Sequence, residues 1–156
     1  MNQLGTLSLT RLSEAAGIPF PTLWRASVQA GISPEVPTAR GKGSEKTLDF
    51  EICLALFLAI RLRKFSSFEI DLKKLFDAVY AKITELRVDV LNRVIRIDHR
   101  QKEITIETRA GIKAVVEESS FLTGAFTLVP IAPLYEQLEN NMEKSEAEEP
   151  IAAVAK

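Results

Sequence analysis

Chemistry-bearing side chains are scarce in this chain. Its 156 residues include one cysteine, Cys53, one histidine, His99, and one tryptophan, Trp24. A lone cysteine excludes an internal disulfide, and one cysteine with one histidine falls short of the usual zinc ligand set, so no metal site is expected. His99 stands beside Asp98 with no serine or cysteine nucleophile in the local sequence, which reads as a turn residue rather than a triad member. Carboxylate neighbours such as Glu117 and Glu118, or Glu148 and Glu149, look like solvated surface acids. The segment RGKGSEK lacks the spacing of a nucleotide phosphate loop. Catalytic residues and cofactors are therefore not expected, and the chain does not read as an enzyme.

Long apolar runs are missing as well. The segment ICLALFLAI at 52–60 is far short of the ~20 residues that span a bilayer, and Cys53 within it reads as a small core residue. The opening MNQLGTLSL has no basic stretch followed by a long apolar core, so neither a secretory signal nor a membrane role is expected. A cytoplasmic protein is the expectation. No internal repeat of fixed period is found.

What is present is an ordinary globular balance, 46% hydrophobic and 26% charged, with a net charge of −1 that hides a division. Residues 1–86 hold 11 Lys/Arg against 9 Asp/Glu, and residues 87–156 hold 9 against 12. The front is the basic part.

The chain reads as organised around residues 7–32, LSLTRLSEAAGIPFPTLWRASVQAGI. Ser8 precedes the apolar rhythm Leu9, Leu12, Ala15, Ala16, so a helix begins near Leu9 with a serine cap. Gly17 suits a left-handed C-cap, while Pro19 and Pro21 forbid simple continuation and place the corner at 17–21. Pro21 fits the first turn of a second helix burying Leu23, Ala26 and Ala30 and leaving Thr22, Arg25 and Gln29 on another face. Two short helices about a Gly-containing turn match a helix-turn-helix, although a plain helical hairpin follows the same grammar. The next segment, SPEVPTARGKGSEKT, sets Arg40, Lys42 and Lys46 among glycines and serine, as expected of a basic wing along a phosphate backbone.

Asp49 can cap a third helix at about 50–64, apolar nearly all round and closed by Arg61, Arg63 and Lys64, which would complement the helix dipole or meet phosphates. Ser66 with Glu69 forms a capping-box pattern inside a Phe65–Ile70 staple, predicting a fourth helix from there. Its stripe of Phe68, Leu72, Leu75, Phe76, Val79, Tyr80, Ile83 and Leu86 would cover helix three or pair with a second copy. Residues 85–94 are ambiguous, since Leu86, Val90, Leu91 and Val94 also suit a continued helix, and are taken as mostly strand. Beyond them Ile95 and Ile97 face Ile104 and Ile106 across a hairpin turning at 99–102. Residues 112–121 read as helix or strand, GAFTLV as a strand, and Pro133 as the first residue of a last helix. The acidic tail from Glu143 reads as disordered.

Residues 8–76 resemble the winged helix-turn-helix of MerR-like regulators. Their opening pattern is matched by Ser8, Leu9, Leu12, Ala16, Gly17 and Ile18; their Thr-Leu pair by Thr22 and Leu23; their Gly-apolar pair by Gly31 and Ile32. Lys46 and Leu48 stand at the wing end, Glu51 and Ile52 at the opening of helix three, and Leu62, Arg63 and Phe65 at its close. Trp24, Arg25 and Ala26 replace the family's Arg-Tyr-Tyr, and the pattern shows no long C-terminal coiled coil, which favours an excisionase-like or simple repressor-like use.

The resulting expectation is an α+β protein with a winged helix-turn-helix at 1–70, a connecting helix at 71–86, a small α+β unit with a hairpin at 87–142 and a tail at 143–156. Double-stranded DNA is the expected partner, with self-association as a homodimer or higher. Thr22, Arg25 and Gln29 would face the groove, Trp24 would pack at its rim or touch the backbone, and Arg40, Lys42 and Lys46 would track phosphates. The alternative is a protein-interaction module in which Phe20, Pro21 and Trp24 form a sticky corner.

Overall fold

The computed structural model describes residues 5–33, 47–118 and 126–154. Within them the chain is α+β, with six α-helices and two small antiparallel sheets. The basic loop containing Arg40, Lys42 and Lys46 lies outside the described residues.

Strand β1 (Thr6–Ser8) pairs with β2 (Thr47–Asp49), setting Leu7 opposite Leu48, and both leucines are buried. This small sheet ties together the entrances to α1 (Leu9–Ala16) and α3 (Phe50–Phe65). Ser8 caps α1 as expected, its Oγ accepting from the Arg11 N–H at 3.2 Å, and Leu9, Leu12, Ala15 and Ala16 form the buried face. Gly17 then takes the left-handed conformation, φ 62° and ψ 33°, that a side chain would resist. Helix α2 (Phe20–Gln29) follows with Pro21 in its first turn and Leu23, Ala26 and Ser27 buried.

Helix α3 is buried nearly all round, from Phe50 through Leu62, and serves as the central rod. Asp49 occupies its cap position without a side-chain capping bond. The capping box at Ser66 is not formed. Ser66 ends α3 in extended backbone, and its hydroxyl lies 2.9 Å from the Arg63 carbonyl and 3.0 Å from that of Phe68. Helix α4 (Leu72–Leu86) begins later, capped by Asp71, whose Oδ1 accepts from the Lys74 N–H at 3.0 Å. Asp71 stands immediately before the buried positions Leu72, Leu75, Phe76, Val79 and Ile83, so capping there lets the whole stripe enter the chain's own core.

Residues Arg87–Asn92, taken as mostly strand, form a 3-10 turn that buries Val90. Six residues hydrogen-bonded locally need no strand partner, which is why no alternation shows there. Strand β3 (Arg93–Asp98) and β4 (Glu103–Thr108) make the expected hairpin, pairing Ile95 with Ile106 and Ile97 with Ile104. Helix α5 (Arg109–Glu118) resolves the helix-or-strand choice, and β5 (Phe126–Pro130) joins the other edge of β3.

Helix α6 (Ile131–Val154) starts two residues before Pro133 and carries the acidic segment from Glu143, read as disordered, in a continuous helix as far as Val154. It packs on α1, where Asn141 Nδ2 donates to the Ala15 carbonyl at 2.9 Å, and on the start of α3, where the rings of Phe50 and Tyr135 meet edge to face at 5.8 Å. One apolar cluster therefore runs from Leu7 through α3 and β3 to Met142. No helix among the described residues is long and apolar enough to cross a membrane.

Candidate functional site

The corner between α1 and α2 is held by its own hydrogen bonds. The Ile18 N–H donates to the Ser13 carbonyl at 3.1 Å, the Ser13 hydroxyl returns to the Ile18 carbonyl at 2.6 Å, and the Pro19 carbonyl accepts from Thr22 and Leu23. Such a corner orients α2 with little slack. It leaves Pro21, Thr22, Arg25 and Gln29 exposed along one side, as their helical spacing requires, and Trp24 half-buried.

The end of α3 comes up beside this face. Arg63 Nη1 donates to Gln29 Oε1 at 3.1 Å, joining the two helices through exposed groups. Arg61 is more structural: Nη2 donates to the Ala16 carbonyl at 3.2 Å, and its guanidinium lies over the Phe57 ring at 5.4 Å. Its buried Nε has no hydrogen-bond partner among the described residues. Together Arg61, Arg63 and Lys64 line an open depression of about 410 Å³ with Gly17, Ile18, Pro19, Thr22 and Ile60. None of these lining residues is acidic, so among the described residues no carboxylate in the wall offsets the three cations.

A second depression, about 350 Å³, is lined by Phe20, Pro21, Trp24 and Arg25. Phe20 and Trp24 stack at 26° with centroids 6.4 Å apart, and the Ser27 hydroxyl donates to the Trp24 carbonyl at 2.7 Å. This hollow is apolar apart from Arg25.

Of the seven residues expected to meet DNA, four are described: Thr22 lines the basic depression, Arg25 and Trp24 the apolar one, and Gln29 holds Arg63. Arg40, Lys42 and Lys46 are the three outside the described residues. Arg63 and Lys64 carried a signal as cations in the last turn of a helix, but nothing local announced that they would stand beside Thr22 and Gln29.

Elsewhere the polar groups close on themselves. Cys53 is fully buried and burial, helped by the Asp49 charge, pushes its thiol up to about 12, which keeps it protonated and unreactive. Asp98 Oδ1 accepts from the Arg100 and Gln101 N–H groups at 2.9 and 2.8 Å, so it builds the hairpin turn. His99 sits between Ser67 Oγ, 2.8 Å from Nδ1, and Thr127 Oγ1, 2.7 Å from Nε2. The serine absent from its local sequence is thus supplied by the α3–α4 connection. Both ring nitrogens are occupied by hydroxyls, and Phe68 lies edge-on to the ring at 6.3 Å. That arrangement fastens the connection to the sheet.

No family model matches this chain, and no curated protein matches its sequence.

Proposed function

We propose that this protein binds double-stranded DNA through the exposed face of α2, as a MerR-like or excisionase-like regulator with a winged helix-turn-helix at its N-terminal end. The observation that carries the reading is the depression where Arg61, Arg63 and Lys64 adjoin Thr22 with no carboxylate among the described lining residues. Helix α2 would enter the major groove with Thr22, Arg25 and Gln29 toward the bases and Trp24 at the rim. Arg63 and Lys64 would meet phosphates, and so would Arg40, Lys42 and Lys46. So few cations suit two copies on adjacent half-sites, and we place the complex in the cytoplasm as a homodimer.

The test is fluorescence anisotropy with duplexes selected from a random pool, at two or more salt concentrations. Affinity should fall as salt rises, and Arg63→Ala with Lys64→Ala should flatten the log–log slope by about two, close to one per lost phosphate contact. Arg25→Ala should cost about 1 to 3 kcal/mol on the selected duplex if it reads a base. Absence of duplex binding, or binding indifferent to salt, would end the proposal. A protein-interaction module is the second reading, favoured by one feature, the exposed Phe20 at 42% accessibility against Trp24.

A further inference from the structure

The apolar hollow beside Arg25 asks for a ligand of mixed character. Phe20 and Pro21 are exposed, Trp24 backs Phe20, and Arg25 is the one charged residue lining the hollow among the described residues. Phe20 and Pro21 offer no side-chain donor or acceptor, and Pro21 lacks even a backbone N–H. They can reward only an apolar group. The adjacent depression carries Arg61, Arg63 and Lys64, and neither depression has an acidic lining residue among the described residues, so the partner that fits both is a polyanion bearing an apolar projection. In the major groove of DNA, the C5-methyl of thymine is that projection, and guanine O6 and N7 are the acceptors an arginine takes in bidentate fashion.

Resting on the DNA-binding reading above, we infer that Phe20, Pro21 and Trp24 form a thymine-methyl contact, so that the preferred sequence carries thymine next to the guanine read by Arg25. The placement is favourable. Phe20 and Pro21 open α2, and the N-terminal residues of a helix lying in the groove are those that reach base edges. The stack on Trp24 restrains the Phe20 ring, which lowers the ordering cost of contact. An apolar side chain of a protein partner would fill the hollow too, but it would leave the neighbouring cations without a counter-charge.

The experiment uses the full chain and its best selected duplex, with each thymine in turn replaced by uracil, a change that removes only the methyl group. One or two positions should lose about fourfold in affinity, the value of one buried methyl-sized group. Phe20→Ala should bind the uracil duplex as the unaltered chain does and lose the discrimination, with circular dichroism and sedimentation unchanged. If every uracil duplex binds like its parent while salt-dependent binding persists, the methyl contact is overturned and DNA binding stands. If no duplex is bound, both fall. Discrimination that survives in a folded Phe20→Ala chain assigns the methyl to other residues and overturns the inference, as does a Phe20→Ala change that alters self-association and leaves discrimination intact.

Discussion

Two arginines, one at the α2–α3 face and one on the three-stranded sheet, are treated differently by the fold. Arg63 donates to the neutral amide oxygen of Gln29, whereas Arg96 stands 3.5 Å from the Glu107 carboxylate, with Thr105 and the Phe126 ring beside it. Lys73 and Lys82 on α4 likewise have Asp77 and Glu85 as partners. Arg61 donates to a backbone carbonyl, and Arg25 and Lys64 form no ion pair among the described residues. A charge matched by a carboxylate leaves little field outside the protein, while one matched by an amide or carbonyl keeps its net charge for whatever approaches. The difference separates a face whose arginines meet neutral oxygens from a sheet whose arginine meets a carboxylate.

The sharpest way to break this comparison is to remove one residue from each region and measure both stability and binding. Asp98→Ala leaves the Arg100 and Gln101 N–H groups without their acceptor in a part-buried turn and should cost about 2 kcal/mol of folding stability. Denaturant unfolding would register that loss, with affinity for the selected duplex unchanged at temperatures where the variant is folded. The exposed Arg25 should behave in the opposite way, with Arg25→Ala melting within about 0.5 kcal/mol of the parent while duplex affinity drops. If Asp98→Ala weakened binding as strongly as Arg25→Ala, the division between the regions would be lost.

Much of the front was legible because its signals are local. Ser8, Gly17 and Pro21 act within one turn of themselves, and the alternation around Ile95 and Ile104 needs only a hairpin to satisfy it. Ser66 misled because side-chain type alone cannot say whether a hydroxyl will accept from the helix that follows or point at carbonyls of the one that ends. Asp71 offered an equally good cap, and the position of the apolar stripe decided between them. The candidate site was only half visible. Gln29 and Arg63 lie 34 residues apart, Ser67 and His99 32 apart, and Ala15 and Asn141 126 apart, and no local pattern encodes such pairings. Arg61 shows the same gap, since the sequence offered dipole or phosphate and the fold gives it the carbonyl at the end of α1.

Alkaline titration sharpens the comparison from within the core. Burial holds the Cys53 thiol at about 12 against an ordinary value of 9.0. A thiol whose ionisation is resisted in the folded chain is at no disadvantage below pH 9, but above it the unfolded chain loses the proton first. Stability should therefore fall by about 1.4 kcal/mol per pH unit from 9 toward 12 on account of this group. Cys53→Ala should show a shallower alkaline limb, offset by a lower neutral-pH stability from the lost sulfur. Equal limbs in the two proteins would mean that the thiol is open to water. Thiol reagents at neutral pH should react only as the chain unfolds.

The smallest expected effect lies where the two regions join. Arg87, the first residue of the 3-10 turn that follows α4 and leads into β3, has φ 48° and ψ −119°, a conformation that favours glycine. The exposed side chain does not require that backbone; the chain reversal does, since the Arg87 N–H still donates to the Ile83 carbonyl while the next residues begin a different helix type. Arg87→Gly should relieve more strain than it costs in unfolded-state entropy and stabilise the fold by about 1 kcal/mol. Arg87→Ala keeps the Cβ and hence the strain, so its melting temperature should match the parent's. A gain common to both variants would point to the arginine's charge rather than its backbone. A gain confined to glycine, with duplex affinity unchanged, would place the strain at the joint and outside the binding face.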